Sequence, residues 1–170
     1  GGIITTANPL NTAGELHKQL ADSGATCLLT IPQLLPQAQE AAAGTRVEHL
    51  FVFGEAEGAT PFAALLAEEG QPPQPAIDVH QDVVALPYSS GTTGLPKGVM
   101  LTHYNLVANV CQIQVVDGPG ETAVDIAVLP FYHIYGLTVL LNSILQAGGT
   151  LVTMARFDLE AFLGLVQRYK

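Results

Sequence analysis

Val83–Gly98 reads V-V-A-L-P-Y-S-S-G-T-T-G-L-P-K-G, an apolar run that opens into a loop of small residues around one lysine. Its first part, Val83–Tyr88, has the β-branched and apolar character of a strand. Each residue type in the second part has a use around a polyphosphate. Gly91, Gly94 and Gly98 let backbone amides approach an anion closely and can take positive φ angles. Ser89, Ser90, Thr92 and Thr93 add hydroxyl donors that rotate to suit phosphate oxygens. Lys97 brings a full positive charge on a flexible stem, and Pro96 restricts the backbone ahead of it. A loop that follows a strand in this way stands where ligands bind at the carboxyl ends of parallel strands.

Two other loop chemistries fail on spacing. A P-loop requires G-x-x-x-x-G-K-[ST], but five residues after Gly91 stands Pro96, and Lys97 is followed by Gly98. A hydrolase elbow requires G-x-S-x-G, and Ser90 has Tyr88 and Thr92 at the glycine positions. Composition alone also allows a surface loop of small residues. The ordered string is far more specific than its composition.

Strand-like and helix-like runs alternate on both sides of this loop. Gly2–Thr6 reads as a strand. Thr12 and Glu15 form the capping-box pattern T-A-G-E, which predicts a helix to about Ser23 with Gly24 ending it. Ala25–Thr30 reads as a short buried strand, Pro32–Ala43 as a helix that tolerates Pro36 near its start, Val47–Phe53 as a strand and Pro61–Glu69 as a helix. Residues 67–82 (AEEGQPPQPAIDVHQD) are linker-like, since three prolines and a glycine deny them regular hydrogen bonding. Beyond the loop, Val99–Leu101 is extended and Thr102 is placed to cap a helix through about Val115. Thr122–Leu129 reads as a strand, Tyr135–Ala147 as a helix closed by Gly148 and Gly149, Thr150–Met154 as a strand, and Asp158 as the cap of a last helix. Repeated strand–helix–strand units predict an α/β fold with a largely parallel sheet flanked by helices.

With 170 residues and 48% apolar content, the chain can bury a core, and one compact domain is the default expectation. The formal net charge of −9 leaves no basic field for nucleic acid or an anionic membrane surface. It does not exclude a single nucleotide, which needs only local donors. Between Arg46 and Arg156 the only basic side chain is Lys97, inside the glycine-rich loop. Cys27 and Cys111 lie far apart in apolar runs and read as buried free thiols, which suits a reducing, cytoplasmic compartment. Gly1–Leu10 carries no secretory signal, and the most apolar segment, Gly136–Ala147, is too short to span a bilayer. His17, His49 and His80 show no metal-ligand spacing, and no metal site is assigned. His103 belongs to a helix start. The chain starts without Met in a strand-like run and stops at Lys170 in a helical pattern, so both ends read as cut.

The string S-S-G-T-T-G-L-P-K-G resembles the signature loop of the ANL superfamily, which comprises acyl-CoA synthetases, peptide-synthetase adenylation domains and beetle luciferases. The following V-M-L-T-H-Y-N-L, the segment Leu129–Leu137 (L-P-F-Y-H-I-Y-G-L) and the early Gly2–Pro9 (G-I-I-T-T-A-N-P) fit the same family in order. The resemblance covers essentially the whole chain and is nearest to 4-coumarate:CoA ligases. It implies that residues 1–170 are part of the N-terminal, AMP-binding domain of an acyl-adenylating enzyme.

The resemblance implies a two-step reaction on a carboxylic acid, aryl or fatty, with ATP and then coenzyme A as co-substrates. Ser89, Ser90, Gly91, Thr92, Thr93, Gly94, Lys97 and Gly98 would hold the phosphates. His133 would line the catalytic centre near the α-phosphate and the acyl carboxylate, with Tyr135 and Gly136 at the acyl group and Arg156 at a coenzyme A phosphate. Each has a plainer reading: junction packing for His133 and Tyr135, and a solvated arginine before a helix cap for Arg156. Val139 stands where plant coumarate ligases tend to have serine, which weakens a hydroxycinnamate assignment.

The family's Mg²⁺-binding acid, its ribose-binding aspartate and its C-terminal-domain lysine fall beyond Lys170, so the C-terminal domain and the remainder of the parent enzyme are expected outside this chain. Two alternatives stand beside the ligase: a non-catalytic nucleotide- or phosphate-binding module, and another adenylating enzyme of the superfamily. The isolated 170-residue chain is expected to show no ligase turnover. Pyrophosphate release on incubation with ATP and fatty or aromatic acids would overturn that expectation.

Overall fold

In the computed structural model, residues 1–67, 69–89 and 96–169 are described. The first regular element begins where the capping pattern places it. The Thr12 hydroxyl accepts the Glu15 N–H at 3.3 Å, and the Glu15 carboxylate accepts the Thr12 N–H at 2.7 Å. These bonds satisfy two of the donors that a helix start leaves unpaired. Helix α1 (Ala13–Ser23) follows and ends at Gly24, whose φ of 63° lies in the left-handed region where glycine carries no steric penalty.

The elements then run β1 (Cys27–Thr30), a 3₁₀ turn (Pro32–Leu34), α2 (Leu35–Ala42), β2 (His49–Val52), β3 (Thr60–Pro61) and α3 (Phe62–Ala67). Residues 69–78 have no regular structure and are exposed, as their prolines require. After them come β4 (Val83–Ala85), β5 (Tyr88–Ser89), β6 (Lys97–Gly98), β7 (Leu101–Thr102), α4 (His103–Asp117) and β8 (Val124–Ala127). A π-helical segment (Tyr135–Asn142) continues as α5 (Ser143–Ala147), and β9 (Thr150–Thr153) and α6 (Leu159–Tyr169) complete the chain.

These elements gather into two compact units, Gly1–Ile77 with Tyr88–Val99, and Asp78–Pro87 with Met100–Lys170. In the first, β1, β2 and β3 form a parallel sheet in that order, and α2 is the crossover between β1 and β2. Small residues let α1 and α2 approach closely: Leu20 packs in a core with Leu35, Ala38, Ala41 and Val52. His17 adds a bond from its Nδ1 to the Ala41 carbonyl at 2.9 Å. Gly2–Thr6 is not the expected strand, since only Ile4 makes a single bridge. A side chain holds this segment instead. The buried Gln19 amide donates to Thr5 Oγ1 at 2.9 Å and to the Thr6 carbonyl at 3.1 Å.

In the second unit, β8 and β9 pair in parallel from Val124↔Thr150 to Ala127↔Thr153, with the π-helical segment and α5 as their crossover. Ile144 on α5 is fully buried, and Ala127 and Val110 share its core. The Gln114 side chain of α4 donates to the carbonyl and hydroxyl oxygens of Ser143, at 3.1 and 3.3 Å. Gly148, at φ 77°, ends α5. Thr102 caps α4 through a second reciprocal box, this time with Asn105. The Asp158 carboxylate accepts the Ala161 N–H at 2.8 Å and starts α6. β4 pairs antiparallel with β7 in a separate two-stranded sheet, whereas the ladders at β1–β2–β3 and β8–β9 are parallel.

The cysteines depart from expectation. Cys27 and Cys111 are free, as read from the sequence, but both are exposed. Cys27 opens β1, the outer strand of its sheet, on the side that also exposes Leu29, and Cys111 lies on the outward side of α4 near the exposed Val107 and Val115. An apolar sequence context marks a thiol's neighbours along the chain and not the face it occupies. The Ala25–Thr30 run is likewise only half buried.

Hydrogen bonds from the Thr12 backbone and then from its side chain hold the Glu15 carboxyl below its ordinary value of 4.5, with a smaller contribution from Lys18. A carboxyl with a depressed folded pKa contributes its stability above the unfolded value and loses it as pH falls through the folded one. The stability of the chain should therefore fall below about pH 4.5 in a Glu15-dependent manner. Urea midpoints measured at descending pH should converge for wild type and Glu15→Gln; a constant difference would count against this assignment.

Candidate functional site

The glycine-rich loop rises from an antiparallel hairpin. Tyr88 pairs with Gly98 and Ser89 with Lys97. This corrects the expectation of a loop at the end of a parallel strand. Val83–Tyr88 is not continuous: Leu86 and Pro87 separate β4 from β5, and proline has no N–H with which to extend a ladder. β4 then belongs to the second unit and β5 to the first. Ser90, Gly91, Thr92, Thr93 and Gly94 lie outside the described residues.

Residues directly opposite in a ladder point to the same side, and successive residues alternate. Ser89 and Lys97 therefore share one face at the base of the loop, and both are exposed. Tyr88 and Gly98 occupy the other. There the Tyr88 hydroxyl donates to the Asp22 carboxylate of α1 at 2.5 Å. Burial, then the hydrogen bond and charge of Asp22, push the Tyr88 phenol well above its ordinary value, so it remains a donor.

The second group follows β8. Pro130 and Phe131 turn the chain, and the His133 N–H donates to the Pro130 carbonyl at 3.2 Å. The Tyr135 N–H donates to His133 Nδ1 at 3.2 Å. A backbone amide can only donate, so Nδ1 is the acceptor and the proton of the neutral ring sits on Nε2. The residue is exposed, and Nε2 is the nitrogen left to donate. Tyr135 is 48% exposed and Gly136 is buried.

Gly136 has a structural duty in the chain itself. A Cβ there would fall inside the Pro130 carbonyl group and crowd the Phe131 Cα. Its missing side chain thus makes room for the turn that carries His133. The π-helical segment beginning at Tyr135 has wider turns than an α-helix, a form frequent at functional sites. Within it Thr138 is 2% exposed, and its hydroxyl lacks a hydrogen-bond partner among the described residues.

Arg156 is exposed in the segment between β9 and α6, two residues before the Asp158 cap. His103 opens α4, in agreement with its reading as a helix-start residue. Among the described residues no group of three or more His, Cys, Asp or Glu is placed to hold a metal ion. The site residues thus fall into two groups, Ser89, Lys97 and Gly98 on the first unit, and His133, Tyr135, Gly136 and Arg156 on the second.

The family profile described as "AMP-binding enzyme" matches residues 1–170. The chain belongs to this family. The chain is 45% identical over 174 residues to 4-coumarate–CoA ligase 5 of Oryza sativa subsp. japonica, covering 99% of itself and 32% of that protein. It is 42% identical to 4-coumarate–CoA ligase 2 of Petroselinum crispum, covering 100% of itself and again 32% of the relative. It therefore spans about a third of the length of these curated relatives. Among solved structures, ATP-bound MatB from Rhodopseudomonas palustris superposes with a TM-score of 0.84 at 28% identity, over 99% of this chain and 33% of that one. Apo MbtA from Mycobacterium smegmatis gives a TM-score of 0.90 at 25% identity, over 98% of this chain and 32% of that one. The mixed α/β architecture is thus that of acyl-adenylating enzymes.

Sequence reasoning missed the Tyr88–Asp22 bond, which joins residues 66 apart and leaves no local signal. It also missed the His133 tautomer, although the H-x-Y spacing could have suggested a backbone bond to the ring. Gly136→Ala is expected to destabilise the second unit by about 1–3 kcal/mol, the usual cost of forcing atoms into a packed site. Urea unfolding of the variant and the wild-type chain measures this; an unchanged midpoint would show that the turn at Pro130 yields freely.

Proposed function

We propose that the protein carrying this chain is an AMP-forming acid–thiol ligase, and that residues 1–170 are part of its N-terminal, AMP-binding domain. Together with family membership, the pairing of Ser89 with Lys97 on one exposed face of the loop's hairpin carries this reading. A hydroxyl and an ammonium set side by side at the mouth of a glycine-rich loop suit a polyphosphate better than any other common ligand.

In the first step an oxygen of the acid forms a bond to the α-phosphorus of ATP. The bond to the bridging oxygen breaks, and its electron pair leaves with pyrophosphate. Lys97 and Ser89 would draw that leaving charge into the loop, with Ser90, Gly91, Thr92, Thr93, Gly94 and Gly98 lining it. His133 would present its Nε2–H to an oxygen of the α-phosphate or the acid, as a donor held in one orientation by the Tyr135 amide. Tyr135, exposed beside it, would meet the acyl group, while Gly136 shapes that pocket indirectly through the Pro130 turn. In the second step the sulfur of coenzyme A bonds to the acyl carbon and AMP departs, with Arg156 near a coenzyme A phosphate.

The ligands for Mg²⁺ are expected in the rest of the parent enzyme, beyond Lys170. The acid remains an aryl or a fatty acid. Similarity to 4-coumarate–CoA ligases supports an aryl acid, and Val139 makes a hydroxycinnamate a weaker choice than a less polar ring or chain. Free thiols at Cys27 and Cys111 suit a reducing, cytoplasmic compartment. Among the described residues no helix is long and apolar enough to cross a membrane.

In the whole protein, Lys97→Ala should slow acid-dependent ATP–pyrophosphate exchange by on the order of 10²-fold while leaving the affinity for the acid nearly unchanged. An unaltered exchange rate would remove Lys97 from the proposed site. A panel of aryl and fatty acids in the same assay, followed by acyl-CoA formation, identifies the substrate class.

A further inference from the structure

Two residues per strand are too few for the β5–β6 hairpin to hold itself, since even longer isolated hairpins are marginal in water. Something outside the ladder must fix the base of the loop. Asp22 is the candidate, and its position is informative. It lies in the last turn of α1, where the helix dipole disfavours a negative charge, and that turn contains no basic residue. A carboxylate placed against a local rule in this way points to a compensating interaction. The compensation is the Tyr88 hydroxyl at 2.5 Å, on the first residue of β5.

The anchor itself is capped at both ends and packed. Helix α1 is closed at one end by the Thr12–Glu15 box and at the other by Gly24, and Leu20 seats it in the core of the first unit. Because Tyr88 and Gly98 face away from Ser89 and Lys97, the bond to Asp22 grips the hairpin on one side and leaves the other free for a ligand. Gly98 opposite has no side chain to compete with the Tyr88 ring.

We propose that Asp22 and Tyr88 are positioning residues that tether the β5–β6 hairpin to the end of α1 and set the orientation of Ser89 and Lys97 toward the nucleotide. The proposal rests on the ligase reading above for its kinetic consequence, but the tether is a property of the chain itself.

The experiment uses the whole protein with Tyr88→Phe, Asp22→Ala and Asp22→Asn, of which the last keeps an acceptor oxygen. Tyr88→Phe and Asp22→Ala should each lower kcat/KM for ATP in pyrophosphate exchange by about tenfold, with KM for the acid within about twofold of wild type. Asp22→Asn should recover most of the loss. The double variant Tyr88→Phe/Asp22→Ala should be no worse than either single change, because both remove one bond. Equal loss of ATP and acid parameters together with a lowered Tm would reassign the pair to general stability and overturn the proposal. So would unchanged kinetics in both single variants. Amide hydrogen exchange over residues 89–98 separates the two readings. Faster exchange in Tyr88→Phe, in a wild-type protein that catalyses no pyrophosphate exchange, would retain the tether and discard the ligase. Unchanged hydrogen exchange in an active enzyme would discard the tether alone.

Discussion

Cross-strand register at the base of the glycine-rich loop is the constraint from which the candidate site follows. Pairing Ser89 with Lys97, and Tyr88 with Gly98, divides the hairpin into a face with two polar side chains and a face with an aromatic anchor. A slip of one residue would exchange the faces and turn the ammonium toward α1. In so short a ladder, backbone bonds alone specify register weakly, and a side-chain bond across the fold adds what they lack. In the proposed phosphate site, the geometry would thus be set by a contact that touches no phosphate.

Much of the fold was legible because its determinants are local. Thr12 with Glu15 and Gly24 announce both ends of α1, and Thr102 and Asp158 start their helices where a side-chain oxygen can meet a free amide. The proline-rich stretch after α3 reads as irregular because its residues cannot join a ladder. What sequence could not give is how strands choose partners. Val83–Tyr88 looks like one apolar run, yet Pro87 divides it between an antiparallel pair with β7 and another with β6. Gly2–Thr6 looks like a strand, yet the buried Gln19 amide satisfies part of its backbone and only Ile4 makes a single bridge. The exposed Cys27 and Cys111 make the same point for burial, which depends on the facing element and not on neighbours in sequence.

The two groups of candidate residues were legible to different degrees. The loop speaks through residue chemistry, because glycines, hydroxyls and a lysine in that order have few uses in common. His133 does not, for a histidine in an aromatic turn can pack, donate or titrate. The Tyr135 amide narrows the choice by occupying Nδ1, which leaves Nε2 as the ring nitrogen free to carry a donor.

The close fit of Gly136 under the Pro130 carbonyl bears on how such a protein could change over generations. The obstructing atoms are backbone, which cannot rotate aside as a side chain would. The fold therefore leaves room for change at the half-open Tyr135 ring and none for a Cβ at its neighbour. One position is open to diversification and the next is closed by the chain's own path. Divergence around this turn is channelled by steric necessity before selection on any substrate begins.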